Sequence, residues 1–88
     1  MLKPSFTNQF KKDIKKVKKQ GKHTDKIKLI MSDLIDEKRL DEKYRDHKLT
    51  GDFKDRRECH IEPDWLLIYR IEKDQIIFER TGSHSELF

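Results

Sequence analysis

The chain lacks most of the devices that stabilise very small proteins or carry inorganic chemistry. A single cysteine, Cys59, among 88 residues excludes an internal disulfide and a cysteine-rich zinc site. No His-x-x-x-His or Cys-x-x-Cys pair occurs, so the ligand spacing of a zinc enzyme is missing and no metal or other cofactor is expected. No apolar run approaches the roughly 20 residues needed to span a bilayer. The opening MLKPSFTNQFKK has no apolar core of the secretion-signal kind. These absences predict a soluble, cytoplasmic protein. Hydrophobic residues are also scarce at 33%, against 43% charged, so the core must be small and most of the surface ionic.

Periodic apolar segments nonetheless predict one folded domain over residues 1–88. Met1 to Pro4 suits an edge strand, where proline is tolerated. Thr7 is placed to cap a helix whose apolar stripe is Phe6, Phe10, Ile14 and Val17, and Gly21 to stop it. Thr24-Asp25 opens a second helix with Ile27, Ile30, Met31, Leu34 and Ile35 on one face. The charged stretch 36–45 reads as a helix end and loop, anchored by Leu40 and Tyr44, and Leu49 to Asp52 as a turn. Strands follow over about residues 57–61, 65–71 and 75–81, separated by short hairpin connections. The order β-α-α-β-β-β predicts an α+β fold with two helices packed on one face of a small twisted antiparallel sheet. Strand alternation puts Cys59 and Ile61 on the helix-covered face, with Glu58, His60 and Glu62 on the open one. It does not settle where Arg80 points.

What the chain does have is histidine in the right company. Three of its four histidines, His47, His60 and His84, fall in the second half, each near a carboxylate or an arginine. His23 lies apart, in the turn between the helices, and reads as structural. RNA is cut without a metal when its own 2′-hydroxyl attacks the neighbouring phosphorus. That reaction needs a base, an acid and a cation, roles that imidazole and guanidinium fill near neutral pH. His47, His60, Asp64, Arg80 and His84 form a sufficient set, with Trp65 and Phe88 as candidate stacking surfaces. The bland alternatives are a solvated His47 in a loop, a hairpin-capping Asp64, a core Trp65, a surface ion pair of Arg80 with Glu58 or Glu79, and a Phe88 that docks on the core. Cys59 reads as a small buried apolar residue.

A second feature is the uneven charge. The net charge is +4, but seven lysines fall between residues 11 and 22, with Asp13 the one acid among them. Such a field suits phosphates or an acidic protein, and Lys15 and Lys19 are the candidate contacts to a nucleic-acid backbone.

The runs DHKLTGDFKDRRECHIEPDWLLIY and FERTGSHSELF resemble the YafQ-like branch of the RelE/ParE superfamily, toxins of bacterial type II toxin–antitoxin pairs. The resemblance covers nearly the whole chain and implies a RelE-like fold and a ribosome-dependent endoribonuclease that cleaves mRNA in the ribosomal A site. It implies functional roles for His47, His60, Asp64, Trp65, Arg80, His84 and Phe88, and an antitoxin that silences the toxin by wrapping it. That partner is expected to be acidic, with the toxin alone a monomer and the pair a hetero-oligomer. The chain departs from better-known members in its lysine-dense first helix, in Phe53 where tryptophan is common, and in ending at Phe88 without a tail. Two other readings stand beside it: a gyrase inhibitor of the ParE type without nuclease activity, and a non-catalytic RNA-binding module.

Overall fold

The computed structural model describes residues 1–51 and 55–88. Strand β1 (Lys3–Phe6) leads into helix α1 (Asn8–Lys19) and helix α2 (Thr24–Ile35), and a single 3₁₀ turn spans Glu42–Tyr44. Strands β2 (His47–Lys48), β3 (Arg57–Glu62), β4 (Trp65–Glu72) and β5 (Gln75–Gly82) follow, and a short helix α3 (His84–Leu87) comes last. The domain is α+β, with two helices backing a five-stranded sheet of order β1-β5-β4-β3-β2.

Local chemistry explains most of these boundaries. The Thr7 side chain accepts a hydrogen bond from the Phe10 amide, satisfying one of the donors a helix start leaves unpaired. At the other end Gly21 adopts φ 76°, and the amides of Gly21 and Lys22 return to the carbonyls of Lys18 and Val17. That paired closure needs a left-handed residue, which glycine supplies without strain. Val17, Ile27, Ile30 and Leu34 are buried against Cys59, Trp65, Tyr69 and Phe78 of the sheet. Each such side chain contributes on the order of 1.5–3 kcal/mol of burial free energy. Leu40 and Tyr44 pack half-buried at the edge of this core, as anchors of the charged stretch.

Three expectations need correction. The sheet is mixed rather than antiparallel, because β1 runs parallel to β5 with Lys3 opposite Gln75 and Phe6 opposite Phe78. Phe6 therefore belongs to β1, not to the stripe of α1, and stacks on Phe10 and Phe78 at centroid distances of 5.8 and 5.6 Å. His47 lies in a strand rather than a loop, opposite Glu58 in antiparallel register. The predicted turn from Leu49 to Asp52 falls partly outside the described residues, and Phe53 wholly so.

Candidate functional site

The alternation of β3 separates packing from chemistry. Cys59 is fully buried under the helices, which pushes its thiol up to about 12 and makes it a poor nucleophile. Its neighbours Glu58 and His60 face the other way. Across the sheet His47 pairs with Glu58, and His60 with Leu66, so both imidazoles stand on the open face.

His84 joins them through a separate device. The Ser83 side chain accepts from the Glu86 amide while the Glu86 carboxylate accepts from the Ser83 amide, a reciprocal cap that starts α3. Lys16 holds the same carboxylate from α1, and with these hydrogen bonds lowers the Glu86 carboxyl to about 2. Gly82 precedes the cap at φ 157°, where an added Cβ meets the Glu86 Oε1 at 3.2 Å. The helix start thus presents His84 to the turn between β3 and β4, where Asp64 accepts from the His84 backbone amide at 2.9 Å and contacts its Nδ1 at 2.8 Å. The backbone bond first, and the ring second, hold the Asp64 carboxyl below its usual range. Asp64 is therefore an anionic orienting group near neutral pH. Its contact with Nδ1 leaves Nε2 as the ring nitrogen of His84 that Asp64 does not engage.

The three imidazoles form a row. Ring centroids lie 6.2 Å apart for His47 and His60, and 5.7 Å apart for His60 and His84. Glu58, only 7% exposed at its side chain, sits between the first two, with Oε2 3.2 Å from His47 Nε2 and 3.7 Å from His60 Nε2. The other His47 nitrogen, Nδ1, faces the Arg45 carbonyl. Both ring nitrogens of His47 are thus engaged, one by Glu58 and one by the Arg45 carbonyl. Sequence reasoning left Glu58 out of the site, although its position two residues before His60 in one strand was the available signal.

The remaining candidates are placed less simply. Arg80 is opposite Ile68 on the open face, but its Nε donates to Asp13 of α1 at 2.8 Å and its Nη2 reaches the other oxygen at 3.4 Å. Its partner is thus neither Glu58 nor Glu79; Glu79 instead pairs with Arg56 and Arg70. Asp13 is buried and also accepts from the Thr81 amide, so one carboxylate ties α1 to β5. Trp65 offers no ring to a base. It is fully buried, and its indole N–H donates to Thr81 Oγ1 at 2.9 Å, so the stacking role is replaced by one of support beneath Asp64. Phe88 is exposed at the end of α3, and Lys15 and Lys19 are exposed on α1.

A helical hairpin backing a mixed sheet, with imidazoles ranged along the sheet's open face, defines a small α+β domain with a histidine-lined face. The model of a family described as bacterial toxin of type II toxin-antitoxin system, YafQ, matches residues 2–88, and the chain belongs to that family. It is 42% identical over 84 residues to the mRNA interferase toxin YafQ of Escherichia coli K12, covering 94% of this chain and 91% of the relative. The crystal structure of the E. coli DinJ-YafQ complex superposes with a TM-score of 0.93 at 39% identity, covering 100% of this chain and 99% of that one. A copper-bound L66S mutant toxin from Helicobacter pylori superposes at 0.96 with 40% identity and full coverage of both chains. Among the described residues of this chain no group of three or more histidine, cysteine, aspartate or glutamate side chains is arranged to hold a metal ion. No described helix is long and apolar enough to cross a membrane.

Proposed function

We propose that the protein is the toxin of a type II toxin–antitoxin pair and an endoribonuclease that cuts mRNA on the ribosome by acid–base catalysis. The observation that carries this reading is the row His47–His60–His84, with Asp64 fastened to one end and Glu58 set between the other two. In the reaction the 2′-oxygen loses its proton to a base and bonds to phosphorus. The bond from phosphorus to the 5′-oxygen then breaks, and an acid protonates the departing oxygen. The products are a 2′,3′-cyclic phosphate and a 5′-hydroxyl. His84 takes the proton-transfer role nearest the scissile bond, with Nδ1 held by Asp64 and Nε2 turned to the substrate. His60, at the centre of the row, is its counterpart in proton handling. His47 is a second-tier proton or phosphate contact.

Arg80 is the phosphate clamp. Asp13 engages its Nε and Nη2 and leaves Nη1 to meet a phosphate oxygen. Lys15 and Lys19 dock against ribosomal RNA as sequence-blind phosphate contacts. The silencing partner is an acidic antitoxin, consistent with the DinJ-bound form of the E. coli relative. The reaction takes place in the cytoplasm, where ribosomes carry the message.

The test is His84→Ala. The variant should stay folded, as judged by an unchanged unfolding midpoint, and lose cleavage by roughly 10²–10⁴-fold. Wild-type products should carry the cyclic phosphate. Full cleavage by a folded His84→Ala protein overturns the assignment.

A further inference from the structure

One cleft remains beside the imidazole row, a cavity of about 560 Å³ between α2, the 3₁₀ turn and β3. Its volume falls within the roughly 300–1,000 Å³ of small-ligand sites. Its composition is divided. The apolar part includes the ring of Tyr44 and the side chain of Leu29, which is 61% exposed although it sits on a helix with a well-buried stripe. The rim carries Lys26, Lys43 and Arg45 against one carboxylate, Glu62. Lys26 is matched to Glu62 at 2.9 Å, and Lys43 Nζ lies 5.1 Å from the centroid of the Tyr44 ring.

Two observations tie the cleft to the site. His60, the middle imidazole, lines it, and the Arg45 carbonyl is the acceptor for His47 Nδ1. Arg45 itself holds φ 51°, a left-handed conformation that asparagine or glycine adopts at lower cost. The backbone there is fixed by the Asp41 side chain, which accepts from the Lys43 amide, and by the Arg45 amide, which returns to the Glu42 carbonyl.

We infer that this cleft is a nucleotide subsite, taking the nucleotide next to the scissile phosphate with its base over Tyr44 and Leu29 and its phosphate on Arg45 and Lys43. The chemistry fits a single-stranded message: an aromatic and apolar surface for a base, and for the backbone two cations, Arg45 and Lys43, that pair with no carboxylate among the described residues. The inference rests on the nuclease reading above and adds to it a place where the strand is held before it reaches the histidines.

The experiment uses uncleavable 2′-O-methyl RNAs, with dissociation constants read by NMR titration. The dinucleotide spans only the scissile phosphate, and two trinucleotides extend it by one nucleotide on the 5′ or the 3′ side. One trinucleotide should bind the wild type more tightly than the dinucleotide. Arg45→Asn, which suits the left-handed backbone and keeps the carbonyl that meets His47, should erase that gain, weakening the trinucleotide by roughly tenfold and leaving the dinucleotide unchanged. Leu29→Gln, at an exposed position, should reduce the same gain. If neither extension binds better than the dinucleotide, or if the gain survives in folded Arg45→Asn, the cleft is not a nucleotide subsite. If Arg45→Asn weakens an acidic antitoxin peptide and not the trinucleotide, the cleft belongs to the protein partner and the inference is overturned. Cleavage that survives in folded His84→Ala overturns the nuclease reading, whereas a trinucleotide gain that survives in folded Arg45→Asn overturns the subsite alone.

Discussion

The two faces of the sheet are built from the same strands and obey opposite rules. Under the helices, Cys59, Trp65, Leu67, Tyr69, Ile76 and Phe78 are all but fully buried, and the few polar atoms there are spoken for, as with the Trp65 indole on Thr81. On the open face the same strands carry Glu58, His60, Arg70 and Arg80, and nearly every charge meets its opposite. One face is held by volume, the other by pairing. The difference teaches that substitutions should separate cleanly into those that unfold the protein and those that leave it folded but inactive.

The sharpest way to break this comparison is at one position from each face. Trp65→Ala empties the largest buried site and should cost about 3–5 kcal/mol in urea unfolding. His84→Ala, on the far side, should move the midpoint little while removing cleavage. If Trp65→Ala retained its stability, the division between faces would be wrong. Glu58→Gln comes next. The swap keeps shape and burial but removes the charge between His47 and His60, and should lower single-turnover cleavage by about tenfold and displace its pH profile. An unaltered profile would reduce Glu58 to packing.

Weaker effects test the periphery. Reversing charge at Lys15 and Lys19 should reduce the salt-dependence slope of ribosome binding by about 1–2 while leaving the unfolding midpoint little changed. The smallest effect concerns Glu86. Because its folded carboxyl lies near 2, below the ordinary 4.5, its stabilising contribution is fully present above about pH 4.5 and is lost as pH falls toward 2. Glu86→Gln should therefore be less stable than wild type at neutral pH, by about 1 kcal/mol or less for a lost cap, with the difference vanishing in acid. A gap that persists at pH 2 would mean the cap acts through shape alone.

Much of this was legible in the residues because it is local. A threonine before a helix, a glycine after it and the parity of β3 each depend on neighbours within a few positions, and each was readable. The pairing of β1 with β5 was not, since no local pattern distinguishes a parallel partner from an antiparallel one. Arg80 shows the same limit. Its carboxylate, Asp13, stood in plain view as the one acid in a lysine run, but 67 positions away. The convergence of His84 with His60 depends on α3, a helix too short to announce itself by periodicity. Trp65 was legible in both roles, and only its burial decided between them.

Strand β1 has a consequence for how the molecule comes into being. Among the described residues its one neighbour in the sheet is β5, and the Thr7 hydroxyl that closes this end donates to the Glu79 carbonyl, 72 positions along the chain. The two helices that follow β1 bury their apolar stripes on a sheet whose strands lie later in the sequence. Most of the apolar surface made early is covered only when strands made late arrive. Closing so long a segment before any contact repays the lost entropy slows the search and binds the whole domain into a single cooperative step. A newly synthesised chain should therefore pass from unstructured to complete without a half-built form in which the histidines are already aligned.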